Sequence, residues 1–243
     1  MTILERQHTL MKTAIAGTSD LLRQWVAQHT TTEGLAWLDN KCKLIADGAE
    51  VRVFFTSFSA VPRYVGKEKL SLTMEQLQAA QEVRSHWQPQ FWNSDGAART
   101  LLLLALPHNS AEEYLQKLEQ LFTTADMGEL VALYQALPLL PYPEQYRFRA
   151  AEGLRSNMIP VFNAIALYNP YPQEYFDELA WNQMVLKALF VGSPLRLIQG
   201  LELRANATLG QMLTDYANER LAAHRTVSPE LWQLVEHINS KKQ

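Results

Sequence analysis

Apolar residues recur along most of the chain with the spacing of an amphipathic α-helix rather than with the alternation of a β-strand. Between Thr9 and Gln28 the apolar positions are Leu10, Ala14, Leu21, Leu22, Trp25 and Val26. In the second half of the chain the same spacing, interrupted by short joints that contain Pro or Gly, predicts helices at 127–137, 144–168, 174–191, 194–201 and 206–223. The pattern predicts an all-α fold of about 9–12 helices, as a single-domain, HEAT-like helical array or an irregular α-bundle.

One segment does not follow this pattern clearly. The run from Val51 to Phe58 is rich in β-branched and aromatic residues, which favours a strand. The sequence has no second run of this kind with which it could pair. We therefore interpret it as a helix or an extended loop.

Several helix ends are marked by their residue types. Thr73 and Asp126 each precede Gln or Glu by three residues, which predicts a capping box, and Ser110 has the same relation to Glu113. Ser193-Pro194 and Ser228-Pro229 predict helix starts, because proline is tolerated at the first helical position. Gly192 is placed to end the helix before it.

Composition excludes several classes of protein. The chain has 243 residues, of which 47% are hydrophobic, so it can bury a sizeable core and is not a disordered chain. Only 10 Gly and 11 Pro are present, which argues against an all-β fold with many tight turns. The formal net charge is −3 and basic and acidic residues are evenly mixed, so no nucleic-acid partner is expected.

The usual motifs of catalysis, phosphate binding and metal binding are absent from the sequence. Cys42 is the single cysteine, which excludes an intramolecular disulfide, and we interpret it as a small buried apolar residue. The histidines do not have the spacing of metal ligands on one helix. We therefore expect no metal site and no cofactor.

The sequence also predicts a location. The N-terminal residues do not resemble a signal peptide, and the longest apolar run, Leu101–Leu106, is far shorter than the roughly 20 residues of a membrane span. We expect a cytoplasmic protein that is not an integral membrane protein.

The predicted helix 144–168 carries a polar stripe. At about 100° per residue its polar groups fall within an arc of roughly 120°, formed by Arg149, Glu152, Arg155, Ser156 and Asn163. Pro160 lacks the amide that would bond the Ser156 carbonyl, which predicts a kink with a free acceptor beside the stripe. The stripe is either a solvated face or the lining of a groove whose arginines hold a carboxylate or phosphate.

The predicted helix 174–191 is apolar nearly all round and is therefore expected to be buried. It nevertheless contains Asn182 and Lys187. A lysine in such surroundings either pairs with a carboxylate, for example that of Asp177 or Glu152, or serves as an anion-binding or catalytic group.

The joint Asn169-Pro170-Tyr171-Pro172 connects these two helices, and its prolines restrict its conformation. It is either a rigid structural turn or a loop that presents Asn169 and Tyr171 at the rim of a pocket.

These segments resemble the EboA-domain family. The likeness is carried by the stretches RAAEGLRSNM (149–158), FNAIALYNPYP (162–172) and YFDELAWNQMVLKALFVG (175–192), and upstream by FFTSFSAVPRYVG (54–66) and AARTLLLLALP (97–107). The resemblance implies an EboA-like helical domain over 49–235, with N-terminal helices at 1–48 packed on it and a polar tail at 236–243. It carries Glu152, Arg155, Asn157, Asn163, Asn182 and Lys187 over as motif positions.

The resemblance also implies a biological setting. The family is similar in being soluble and helical, and is linked to a bacterial gene cluster, the ebo cluster, that makes or moves a small secondary metabolite. The implied partners are other proteins of that cluster or the metabolite itself.

Three functional hypotheses follow. In the first, the chain is a non-catalytic accessory protein that binds a pathway protein or a small polar metabolite in a helical groove. In the second, it is an enzyme for a small polar or phosphorylated metabolite, with Lys187 and Glu152 as acid and base and Arg149 and Arg155 holding the anion. In the third, it is a purely structural helical subunit.

Overall fold

The computed structural model describes residues 3–241, with side chains from residue 12 onward, and the regular elements in that range are helical. The contacts divide the chain into two compact units, residues 1–146 and 147–243. The first unit contains α1 (Ile3–Ala27), α2 (Thr32–Ala46), α3 (Val51–Tyr64), α4 (Met74–Val83), α5 (Ser94–Ala105), α6 (Ala111–Thr124) and α7 (Met127–Ala136). The second contains α8 (Arg147–Arg155), α9 (Ile159–Ala166), α10 (Tyr171–Tyr175), α11 (Glu178–Val191), α12 (Ala207–Ala222) and α13 (Pro229–Ser240). The predicted all-α class is confirmed.

Other predictions about the architecture remain predictions. These are the domain boundaries after residues 48 and 235 and the HEAT-like stacking of the helices. Within the described range, no helix combines the length and the apolar character that crossing a bilayer requires.

Helix α5 is the centre of the first unit. It packs against α1, α2, α3 and α7, and every residue from Ser94 to Leu104 is buried. This helix contains the longest apolar run of the sequence, so the run is explained by a position inside a core rather than by a position in a lipid bilayer.

The ambiguous segment 51–58 is the first part of helix α3. The buried residues of α3 are Phe54, Ser57, Phe58 and Val61, which are spaced three, one and three residues apart. This is the spacing of one face of a helix, and it decides the structure over the strand-favouring residue types.

A buried ion pair within α5 includes the arginine that links this helix to α3. Arg99 donates to the Asp95 carboxylate at 2.7 Å, and both side chains are almost fully buried. Its Nε also donates to the Phe58 carbonyl at 3.2 Å. In a regular helix that carbonyl would accept from residue 62, which is Pro62 and has no N–H. The arginine therefore supplies the hydrogen bond that the proline removes.

The continuous helix predicted over 144–168 is wrong. Helix α8 ends at Arg155 and α9 begins at Ile159, so Pro160 lies in the first turn of a new helix instead of at a kink. The amide of Met158 donates to the Ser156 hydroxyl at 3.1 Å, which stabilises the non-helical link. Proline at the start of a helix costs no hydrogen bond, so a break here costs less than a proline in mid-helix.

Two neighbouring predictions are corrected in the same unit. The helix predicted over 174–191 begins only at Glu178, because Asp177 accepts from the Ala180 amide at 2.7 Å and so caps α11. The helix predicted over 194–201 is only a short 3-10 turn at Leu195–Leu197. The Ser193 hydroxyl, which was expected to cap it, bonds the side chain of Asn163 instead.

Other predicted helix ends are confirmed. Thr73 and Asp126 form full capping boxes with Gln76 and Glu129. Gly192 ends α11 with a φ of 77°, a left-handed conformation that favours glycine.

We predict that Arg99→Met lowers the free energy of unfolding by about 3–5 kcal/mol, because it leaves a buried carboxylate uncompensated and the Phe58 carbonyl without a donor. Arg23→Met is the matched control, since it breaks an Arg–Asp pair whose side chains are 50% and 41% exposed. That change is expected to cost about 0–1 kcal/mol. Denaturant unfolding measures both, and equal losses would contradict the role assigned to Arg99.

Candidate functional site

Lys187 closes the C-terminal end of helix α8. Its ammonium group donates to the backbone carbonyls of Leu154 and Ser156, the latter at 2.9 Å, and lies 5.7 Å from the centre of the Phe162 ring. The Ser156 carbonyl lies in the link after α8, so it is an acceptor at the end of a helix and not the free acceptor at a kink that the sequence predicted. Lysine near a helix C-terminus also interacts favourably with the helix dipole. Lys187 therefore pairs with backbone carbonyls, and not with the carboxylate of Asp177 or Glu152 as one of the two sequence-based alternatives expected.

Partial burial lowers the pKa of Lys187 from its ordinary value, because desolvation penalises the charged form. The side chain is half-buried, and its hydrogen bonds point toward the protein backbone.

The polar stripe on α8 faces outward. Glu152 accepts from Arg155 in an ion pair whose side chains are 40% and 70% exposed. Asn157 is exposed in the link after α8, and Arg149 is half-buried on α8. An exposed ion pair of this kind contributes about 0–1 kcal/mol to the stability of the folded protein.

Asn182 and Asn206 exchange two amide hydrogen bonds, at 3.2 and 2.9 Å. Asn206 is also the N-cap of α12, since its side chain accepts from the Leu209 amide at 2.8 Å. The buried Asn182 on α11 thus holds the start of the next helix in place, and the pair is a structural joint.

The 169–172 joint is packed inside the second unit. Asn169 and Tyr171 are 5% and 0% exposed. The Asn169 side chain donates to the Ala164 carbonyl and accepts from the Tyr171 amide, both at 2.9 Å. The first bond satisfies a carbonyl in the last turn of α9, and the second closes a tight turn. Neither residue stands at an open rim.

Asn163 on α9 accepts from the Ser193 hydroxyl at 2.6 Å, which ties α9 to the chain just after α11. Arg204 also links two segments, because it donates to the carbonyls of Pro172 and Gln173 in α10. Its guanidinium lies 4.7 Å from the centre of the Trp181 ring. The sequence reasoning did not single out Ser193, Arg204 or Asn206 as partners.

The structure places a pocket in another part of the second unit, between the chain at 195–202 and α13. Its volume is about 130 Å³ and its floor contains Leu195 and Leu234, which are almost completely buried. The other lining residues are Arg196, Leu201, Glu202, Glu230, Gln233 and His237. None of the residues singled out from the sequence lines it.

One wall of this pocket is fixed by Glu230. Its carboxylate accepts from the Leu195 amide and from Arg196, both at 2.6 Å. The hydrogen bonds of Glu202 involve its backbone carbonyl, which accepts from Lys241 at 2.6 Å and lies 3.4 Å from His237 Nε2. Within the described residues, the Glu202 carboxylate and the Gln233 amide have no hydrogen-bond partner. The pocket therefore combines a buried apolar floor with solvent-exposed polar groups at its rim.

The remaining chemistry-bearing residue, Cys42, lies in the first unit. Burial, with a smaller contribution from the Asp39 charge, raises the pKa of its thiol to about 12. A thiol with such a pKa is unreactive near neutral pH. The residue is half-buried, however, and not buried as the sequence predicted. Among the described residues, no three His, Cys, Asp or Glu side chains are grouped so that they could hold a metal ion.

A family model described as "Metabolite traffic protein EboA" matches residues 18–236. The chain belongs to the EboA family. Neither the curated proteins nor the solved structures include a match to the chain. In this EboA-family protein the matched range begins within α1, and so includes helices that precede the stretches in which the sequence showed the likeness.

For this EboA-family protein we predict that Lys187→Met lowers the free energy of unfolding by about 1–3 kcal/mol, because two carbonyls lose their donor. Lys187→Arg keeps the donors and is the matched control, with an expected loss under about 1 kcal/mol. Urea unfolding followed by circular dichroism measures both. A Lys187→Met protein as stable as the wild type would contradict the capping role and return Lys187 to the chemical candidates.

Proposed function

We propose that the chain is a non-catalytic accessory protein of metabolite traffic, and that it holds a small polar metabolite in the groove between the 195–202 segment and α13. The observation that supports this proposal is the pocket itself. Its floor contains buried leucines, and at its rim the Glu202 carboxylate and the Gln233 amide form no hydrogen bond to another described residue. Membership of the EboA family supports the metabolite-traffic part of the proposal. A cytoplasmic location and partners from the ebo cluster belong to the same proposal.

The size and polarity of the pocket indicate what kind of molecule fits. A volume of about 130 Å³ is below the roughly 300 Å³ at which sites for drug-sized ligands begin, so it suits a small molecule or one polar end of a larger one. Glu202 accepts hydrogen bonds, whereas the Gln233 amide both donates and accepts. A metabolite with neighbouring hydroxyl or amine groups matches this set.

The enzyme alternative has less support from the contacts. Lys187 already donates to two backbone carbonyls, and Glu152 is paired with Arg155 on an exposed helix face. A general base must reach the proton that it removes, and an acid–base pair must share one substrate. Lys187 and Glu152 would first have to leave their present partners.

The test is to purify the full chain from cells that naturally make it, denature it, and identify released small molecules by mass spectrometry. We expect a polar metabolite with the wild type and about two- to tenfold less with Gln233→Leu, because one hydrogen-bonding group is lost. Gln211→Leu is the matched control, since Gln211 is exposed on α12 and outside the pocket.

Melting temperatures of the variants exclude a general loss of folding. The absence of any bound molecule, or equal amounts with wild type and Gln233→Leu, would contradict the proposed pocket. A protein that co-purifies without a small molecule would favour the other form of the accessory hypothesis, in which the chain binds a pathway protein.

A further inference from the structure

His29 lies just after the C-terminal end of α1 and forms a hydrogen bond with each of its two ring nitrogens. Nδ1 lies 2.8 Å from the Trp25 carbonyl, and the Ser71 amide donates to Nε2 at 3.3 Å. A carbonyl can only accept, so Nδ1 carries a proton, and an amide N–H can only donate, so Nε2 carries none. The two bonds therefore fix the ring as the neutral Nδ1–H tautomer.

The second of these bonds joins the end of α1 to the segment between α3 and α4, residues 66–73, which we call the strap. The first half of the strap is held by backbone bonds, among them the bond from the Leu70 amide to the Trp92 carbonyl at 2.9 Å. Ser71 follows directly and is exposed. The acceptor for its amide is a side chain that can be protonated, whereas the acceptor for Leu70 is a carbonyl that cannot.

We propose that His29 is a pH-sensitive latch, which holds the second half of the strap to the end of α1 when the ring is neutral and releases it when the ring is protonated. A protonated imidazole donates from both nitrogens and accepts at neither. The Nε2–H group would then point at the Ser71 N–H, so this bond is lost as the pH falls through the range of about 8 to 5 in which histidine takes up a proton. This proposal goes beyond the proposed function and does not depend on it.

The ring itself stays on α1 when it is protonated. Its Nδ1–H bond to the Trp25 carbonyl is retained and becomes a charge-assisted hydrogen bond. A positive charge is also favourable at the C-terminal end of a helix, and the last turn of α1 has no basic residue of its own. Because Ser71 is exposed, its released amide can bond water. Protonation therefore loosens the strap without displacing the histidine.

No charged side chain near the ring decides its protonation state. The charged residues on the neighbouring segments are exposed, and they are Glu33 in the first turn of α2, Lys67, Glu68 and Lys69 in the strap, and Glu75 in the first turn of α4. Within the described residues, the ring forms no ion pair with any of them. Arg23, the nearest charge along α1, is paired with Asp39, and Arg99 on α5 is paired with Asp95. The bond to the strap is thus the contact that distinguishes the neutral ring from the protonated one.

NMR spectroscopy of the full chain labelled with ¹⁵N tests the latch. At about pH 8 we expect the His29 Nδ1 resonance to be that of a protonated nitrogen and the Nε2 resonance that of an unprotonated one. Between about pH 8 and pH 5 we expect the protection of the Ser71 amide against exchange with water, corrected for the intrinsic pH dependence of exchange, to fall about two- to tenfold, as the loss of one hydrogen bond predicts. The Leu70 amide should keep its protection over the same range.

His29→Gln is the matched control, because a glutamine carbonyl oxygen can accept from the Ser71 amide and does not titrate. In that variant the protection of Ser71 should not change between the two pH values. A wild-type ring with its proton on Nε2 at about pH 8 would overturn the proposal, as would a Ser71 amide whose protection does not fall while the ring is protonated. An equal fall in His29→Gln would assign the effect to another group and overturn it as well.

Discussion

A backbone carbonyl that has no donor from its own helix must find another one, and in both units a cation supplies it. In the first unit Pro62 frees the Phe58 carbonyl, and Arg99 donates to it. In the second unit helix α8 ends at Arg155, and Lys187 donates to the carbonyls of Leu154 and Ser156 at that end. Each cation also lies over an aromatic ring, at 5.4 Å for Arg99 and 5.7 Å for Lys187. A buried carbonyl without a donor costs free energy. The helices therefore pack where the side chain of a cation can reach such a carbonyl.

This use of cations bears on function. A charged side chain in an apolar helix is a reasonable candidate for catalysis, since desolvated groups cluster at active sites. Here Lys187 and Arg204 bond backbone carbonyls, and burial is the largest cause of the lowered pKa of each. Asn163, Asn169 and Asn182 likewise bond neighbouring segments. The Glu202 carboxylate and the Gln233 amide bond no other described residue and lie on a surface pocket, and the proposed binding role depends on them.

The features that were predicted correctly from the sequence depend on residues that are close together in the chain. Capping at Thr73 and Asp126 depends on residues three positions apart, and the helix class depends on a short period, so both were predicted correctly. The acceptors of Lys187 lie 31 and 33 residues away, and the partner of Asn182 lies 24 residues away. Periodicity does not contain that information, because it depends on how helices pack. The break after Arg155 was missed for a different reason, since Pro160 is compatible both with a kink in one helix and with the first turn of a new helix.

The string WNQMVLKALF shows how far the fold alone explains a sequence. Trp181 packs under Arg204, Asn182 holds the N-cap of α12, and Lys187 caps α8, so each of these residues is explained by the second unit itself. Gln183 and Phe190 lie in the same string but contribute to no buried contact of that kind. An aromatic side chain left 75% exposed gains only a small part of the transfer free energy that burial in a core would give. The residues of α11 therefore divide into a buried set that builds the second unit and an exposed set that the packing of that unit does not explain.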